Sequence, residues 1–325
     1  MSYAVAKDID TAIPVIDIGA LQSGTPQAYA RVAQEIRKAA TEVGFFYVAN
    51  HGVAQELIDR AFAAGRRFFE HPLEAKQGVA VNSRHRGFVP VGGANVARAA
   101  APDLKETFSW GLELPENDPD VLAGNGLLGP NRWPEFLPEL REALYAYFEA
   151  SFACGDRLLR AIAVSIGIEA DFFFARYRKP YARGQIVHYP PQPPSLGPDQ
   201  RGIGEHTDFG CITLLSQDSN GGLQIRARDG EWVKARPIEG TLVINIGDLL
   251  ERWSNDRLTS TLHRVVNSSG RDRYSLTVFY DPTYSTVVDP RDMAPGEEPH
   301  YEPIVAGDHI RSRFDKTFAY RNRAA

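Results

Sequence analysis

Cysteine is nearly missing from this chain: among 325 residues there are two, Cys154 and Cys211. Such a pair is no disulfide framework, fits a reducing compartment, and reads as two small buried core residues. No uncharged apolar run reaches ~18 residues, which excludes a membrane-spanning helix. Lys7, Asp8 and Asp10 interrupt the N-terminal stretch, so a secretory apolar region is missing too. Basic blocks are also lacking. With 36 Lys and Arg against 41 Asp and Glu, the net charge is −5, and nothing resembles a footprint for nucleic acid or an anionic membrane. The expectation is a cytoplasmic protein with neither nucleic acid nor membrane as partner.

What is present is the material of an ordinary globular core, 43% hydrophobic and 24% charged. At this length folding buries roughly three quarters of the chain's surface without help from disulfides or structural metal. The front of the chain mixes short strands with helices. Ile13–Asp17 and Gly44–Val48 read as strands, while residues 26–42 and 53–70 carry helical spacing. Residues 138–167 give the longest helical pattern, with Leu140, Leu144, Tyr147, Phe148, Phe152, Leu159, Ile162 and Ile166 as its stripe.

From residue 184 onward the pattern becomes short β-rich runs punctuated by Gly, Pro, Asn and Asp: 184–189, 211–217, 222–227, 241–247, 262–266 and 274–280. That spacing belongs to a sandwich or barrel. A helix-rich front and a strand-rich back could be two domains. The front strands need a sheet to join, however, so the preferred reading is one α+β unit with a mainly β core, a jelly roll buttressed by helices. Residues 190–200, rich in proline, read as an extended loop inside it.

One histidine sits near a carboxylate in a ligand-like arrangement, Glu205-His206-Thr207-Asp208. In extended chain, positions two apart share a face and can grip one ion. Alone, His-x-Asp is weak and reads equally as a surface turn. His263 enters a strand-like run 55 positions after Asp208. Two imidazoles and one carboxylate with open positions are the requirement of an oxygen-activating Fe(II) site. Ten positions further, Arg273 and Ser275 share a strand face and form a fork suited to a carboxylate.

Together these residues resemble the isopenicillin N synthase-like branch of the Fe(II)/2-oxoglutarate-dependent dioxygenases. The resemblance runs along nearly the whole chain, through Ile13–Asp17, Gly44–Val53, Arg86-Gly87-Phe88, Asp103–Glu106, Asn131–Pro134, His188–Pro191, Asn245–Asp248 and Arg252–Asp256. It implies a double-stranded β-helix with residues 1–325 as a single structural unit. Residues 10–120 would form its N-terminal region and 180–285 its Fe(II)/2-oxoglutarate core.

By the same resemblance His206, Asp208 and His263 hold iron, Arg273 and Ser275 bind the far carboxylate of 2-oxoglutarate, and Tyr189 adds a phenolic hydrogen bond. The implied cofactors are Fe(II), 2-oxoglutarate as cosubstrate, and O2. The implied reaction oxidises, most simply hydroxylates, a small molecule with release of succinate and CO2. An Arg-x-Ser pair alone does not separate this from an oxidase or ethylene-forming variant, and a non-catalytic jelly-roll binding protein is the reading from another class. Phe88, Trp110, Phe209 and Phe279 are candidate substrate contacts, with a plain core role the alternative. Arg183 and Gln185 share the face of Tyr189, where Val187 replaces an asparagine common in plant members. Arg86 or Arg183 could meet a substrate carboxylate. His188 faces away as a packing residue, His51 belongs to a structural turn, and His71, His85, His300 and His309 read as solvent-facing or locally bonded.

Overall fold

The computed structural model describes residues 13–95, 102–192 and 201–318. Fourteen strands are described, of which twelve build the core: β1 (Val15–Asp17), β2 (Phe45–Ala49), β3 (Gly87–Val89), β4 (Glu106–Gly111), β5 (Arg183–Tyr189), β6 (Ile203–His206), β7 (Ile212–Gln217), β8 (Leu223–Arg226), β9 (Trp232–Lys234), β10 (Thr241–Ile246), β11 (His263–Val265) and β12 (Arg273–Tyr280). Helices are α1 (Pro26–Glu42), α2 (Gln55–Glu70), α3 (Leu73–Gln77), α4 (Pro119–Leu122), α5 (Glu139–Ser165), α6 (Asp248–Trp253) and α7 (Ala306–Thr317). The sequence reading places α1, α2, α5 and most barrel strands within a few residues. It has no counterpart for β4, β6, β9, α3, α4, α6 or α7. The proposed loop at 190–200 falls, from residue 193 on, outside the described residues.

An eight-stranded sheet in the order β1-β2-β10-β7-β12-β5-β4-β3 faces a four-stranded sheet in the order β6-β11-β8-β9. Front strands therefore complete the sheet begun by the back half, as the jelly-roll reading requires. Side chains alternate across a strand, and here the alternation sorts two cores. Odd positions such as Phe45, Val187, Tyr189 and Val243 turn inward to Leu223, Ile225 and Val265 of the small sheet. Even positions such as Phe46, Ile186, Leu214, Ile244 and Leu276 turn outward to a larger core shared with the helices.

The helices form where their apolar stripes demand an outer sheet face. In α1, Tyr29, Val32, Ala33, Ile36, Ala39 and Ala40 are buried, and Thr25 caps the start by accepting the Ala28 amide, with Pro26 at the first position. In α2, Gly65 lets the helix come close to the sheet: a Cβ there would lie 1.8 Å from Ile186 Cδ1. The long α5 buries Leu140, Leu144, Tyr147, Phe148, Leu158, Leu159 and Ile162, at roughly 1.5–3 kcal/mol of transfer free energy per large side chain. This outer packing fixes the large sheet and leaves the space between the two sheets for the site.

Candidate functional site

Between the sheets lies a cavity of about 1040 Å³ including its open mouth. His206 ends β6 and His263 begins β11, and the two are cross-strand partners. Asp208 follows in the turn after β6, held by a bond from the Asp248 amide to its carbonyl. The ligand atoms of the three side chains all lie within 4.8 Å of one another, and among the described residues no other group of three does so. His206 Nε2 and His263 Nε2 stand 3.9 and 3.8 Å from Asp208 Oδ1.

The surrounding bonds fix which atoms face inward. His206 Nδ1 is 2.8 Å from the Gly204 carbonyl and His263 Nδ1 is 3.1 Å from that of Thr261. Each Nδ1–H is thus spent on a carbonyl, leaving Nε2 as a lone-pair donor. Asp208 Oδ2 accepts Thr213 Oγ1 at 2.6 Å and Asn245 Nδ2 at 2.8 Å, which turns Oδ1 toward the imidazoles. Burial, reinforced by the facing His263, pushes His206 down to about 3. Burial opposes ionisation of Asp208, but both imidazoles and its two donors hold it below the ordinary carboxylate value. Two neutral nitrogens and one carboxylate oxygen on one face suit a divalent cation such as Fe(II), with remaining positions open.

At another part of the cavity, Arg273 of β12 pairs in register with Tyr189 of β5. The guanidinium sits 4.6 Å from the Tyr189 ring centroid. Its Nε donates to the Gly221 carbonyl and Nη2 reaches Gln217 Oε1 at 3.4 Å. Nη1 is buried without a hydrogen-bond partner. A buried charged donor left open costs about 1–3 kcal/mol or more, and an anion bound at this end would satisfy it. Ser275 lies two positions on, also buried and also lining the cavity.

Of the candidate substrate contacts, Arg183, Gln185, Phe209 and Phe279 line the same cavity. Phe88 and Trp110 do not, and are corrected to core residues. Both are fully buried in the outer core. Phe88 packs on Phe68 at 5.9 Å between ring centroids, and Trp110 on Phe148 at 6.1 Å. Register is the reason: Trp110 pairs with Gly184, an outward position, while neighbouring Thr107 faces the cavity. Arg86 is likewise not a substrate contact. It is buried, Nη2 donates to the Leu127 carbonyl at 2.7 Å, and burial lowers it to about 10.

His188 behaves as expected, bridging Glu106 at 2.8 Å and Asp272 at 2.7 Å and stacking on Tyr274. His51 accepts the Val53 amide in a turn. His85 is a correction to the solvent-facing alternative: it is buried, lines the cavity, and meets Gln185 Nε2 at 3.0 Å. His309 is half-buried rather than exposed, and burial, then Arg313 and Arg252, lowers it to about 4. Lining residues that the sequence reading does not assign to the site include His85, Lys105, Asn245, Phe314 and Phe318. For Phe314 and Phe318 the sequence signal is their spacing with Ile310, the apolar stripe of a helix, while Lys105 and Asn245 lie in stretches that carry the family resemblance.

No helix of the described residues is long and apolar enough to cross a membrane. The family described as "non-haem dioxygenase in morphine synthesis N-terminal" matches residues 13–136, and the 2OG-Fe(II) oxygenase superfamily matches residues 171–282. A 2-oxoglutarate-Fe(II) type oxidoreductase, hxnY, of Emericella nidulans is 35% identical, over 97% of this chain and 94% of its own. Homoarginine-6-hydroxylase of Arabidopsis thaliana is 32% identical, over 94% of this chain and 98% of its own. The crystal structure of a full-length Neurospora crassa protein in complex with α-KG and thymine superposes at a TM-score of 0.83 with 31% identity, covering 96% of this chain and 99% of that one. The sequence matches and the shared fold converge on one conclusion: this chain belongs to the Fe(II)- and 2-oxoglutarate-dependent dioxygenases, in their isopenicillin N synthase-like branch, and is an oxygenase.

Proposed function

We propose that the chain hydroxylates a C–H bond of a small organic molecule, with His206, Asp208 and His263 holding Fe(II) and with Arg273, Ser275 and Tyr189 receiving the far carboxylate of 2-oxoglutarate. The balance is one substrate C–H, one O2 and one 2-oxoglutarate giving one C–OH, one succinate and one CO2. The observation that carries the assignment is a single cavity holding both a three-donor cluster and a buried guanidinium with an open Nη1. Bound iron and cosubstrate supply the activation of O2 and the two electrons that balance it.

The chain's own residues supply placement. Gly204 and Thr261 carbonyls keep both imidazoles in the tautomer that offers Nε2, and Thr213 and Asn245 hold the carboxylate. Phe209, Phe279 and Phe314 wall the space where a second molecule fits, excluding water and fixing which C–H bond is near the metal. The thymine bound in the Neurospora relative supports a small organic substrate. Residues 10–120 contribute Phe45, His85, Val89 and Thr107 to a cavity lined also by residues of 180–285 and, beyond them, by Phe314 and Phe318, which supports one working unit. A reducing, cytoplasmic location belongs to the same proposal, supported by free, buried Cys154 and Cys211.

The test is stoichiometric. With substrate present, succinate and hydroxylated product should form in equal amounts, and both should stop when Fe(II) or 2-oxoglutarate is withheld. O2 uptake on substrate without any 2-oxoglutarate would favour an oxidase and defeat the proposal.

A further inference from the structure

The charges around the cavity carry an inference about the substrate that rests on the oxygenase reading and goes beyond it. Besides histidines, four ionic side chains line the cavity: Lys105, Arg183, Asp208 and Arg273. Two of them are neutralised within the wall. Arg183 Nη2 meets Asp281 Oδ2 at 2.8 Å, with both side chains buried. Asp281 Oδ1 accepts the Cys211 amide at 2.7 Å. Burial raises Asp281 above the ordinary carboxylate value, while the Arg183 charge and these two N–H bonds oppose that shift and favour its ionised form. Lys105 Nζ lies 3.6 Å from Asp103 Oδ2, again with both buried.

There remain one cation, Arg273, and one anion, Asp208. Fe(II) adds two positive charges and 2-oxoglutarate two negative ones, so the loaded cavity is balanced before any substrate enters. A substrate carboxylate would then be an uncompensated charge in a largely buried site, which is costly. The expectation that Arg183 receives a substrate carboxylate fails on the same point, because Asp281 already holds that charge.

Shape and polarity narrow the class further. The Arg183 guanidinium lies over both Phe279 and Phe314, its Cζ 5.0 and 4.7 Å from their ring centroids. Its Nε is buried without a hydrogen-bond partner. Gln185 and His85 form a second polar edge, and the Phe209 and Phe314 ring centroids lie 6.0 Å apart. Aromatic faces with donors at their edges fit a flat ring bearing an acceptor.

We propose that the substrate is an uncharged, planar ring compound with a carbonyl-type acceptor, and that the Arg183–Asp281 pair selects against carboxylates. The test uses the full chain loaded anaerobically with Fe(II) and 2-oxoglutarate, with the cosubstrate-dependent absorption band recorded first. Calorimetry then compares uracil with orotate and benzamide with benzoate. The neutral member of a pair should bind at least ~10-fold more tightly, since specificity here arises from an uncompensated charge in the rejected ligand. Asp281→Asn should narrow or reverse that ratio, and the double variant Arg183→Gln with Asp281→Asn should restore it.

The inference is overturned if the anionic member binds wild type as tightly, if no neutral probe binds, or if a folded Asp281→Asn variant leaves the ratio unchanged. Should Asp281→Asn not fold, the wild-type ratio decides. An absent absorption band defeats the oxygenase reading itself, whereas a band with the wrong ligand preference defeats only this inference.

Discussion

Replacing Arg273 with glutamine isolates the cosubstrate end of the cavity. The side chain is almost wholly buried and its Nη1 has no protein partner, while Nε and Nη2 are used by Gly221 and Gln217. Glutamine removes both the positive charge and the fork. Each hydrogen bond to a charged group contributes about 1.5–3 kcal/mol, and removing one partner of a buried ion pair costs about 3–5 kcal/mol. At about 1.4 kcal/mol per tenfold, 2-oxoglutarate should bind roughly a hundred to a few thousand times more weakly. The assay is an anaerobic titration of Fe(II)-loaded protein with 2-oxoglutarate, followed by the cosubstrate-dependent absorption band. Losing the bonds to Gly221 and Gln217 should also lower stability by about 1–3 kcal/mol, so thermal unfolding is measured in parallel. Arg273→Lys, which keeps charge without the planar fork, should fall between the two. Binding within about threefold of wild type in a folded, iron-loaded Arg273→Gln variant would refute the reasoning, because a charge-assisted fork cannot contribute so little.

Other outcomes follow from the same geometry. Trp110→Ala should cost about 3–5 kcal/mol in urea unfolding and leave 2-oxoglutarate affinity unchanged, since Trp110 packs in the outer core; weakened cosubstrate binding would return it to the site. Phe314→Ala opens the cavity wall, so succinate should still form while its coupling to product falls; full coupling would contradict a positioning role. His309 titrates near 4 in the folded chain against an ordinary value of 6.5. A depressed value means the unfolded chain binds the extra proton first, so this contribution is present above 6.5 and lost as pH falls from there toward 4. His309→Gln should flatten that part of the stability profile, and an unchanged slope would show that burial of the neutral ring is not what links it to pH.

Much of this architecture can be read from spacing alone. Most barrel strands announce themselves as β-rich runs between turn residues, and His206, Asp208 and His263 converge because a jelly roll brings β6 beside β11. Strand phase is a different matter. Phe88 and Trp110 look like cavity aromatics in one dimension, yet which alternate set faces inward is decided by partners. Gly184 opposite Trp110 gives the indole room on the helix side, where a Cβ would lie 2.2 Å from Trp110 Cε2. His85 is hidden for another reason. It sits at positive φ, 58°, in a polar turn after Asn82, Ser83 and Arg84, a context that reads as surface until Phe314 of α7 and Phe318 just beyond it pack against the imidazole. Phe314 itself carries a helical signal, but nothing in the spacing says that the C-terminal helix returns to the cavity mouth.

The most direct test of the central claim is iron stoichiometry together with the cosubstrate-dependent band, measured anaerobically on wild type and on His206→Ala, Asp208→Ala and His263→Ala. Wild type should bind one Fe(II) per chain and develop the band only when 2-oxoglutarate is added. Each variant should lose both while keeping its far-UV circular dichroism, because these three ligands, not the core, hold the metal. Retention of iron and band in a folded His263→Ala variant would contradict the account.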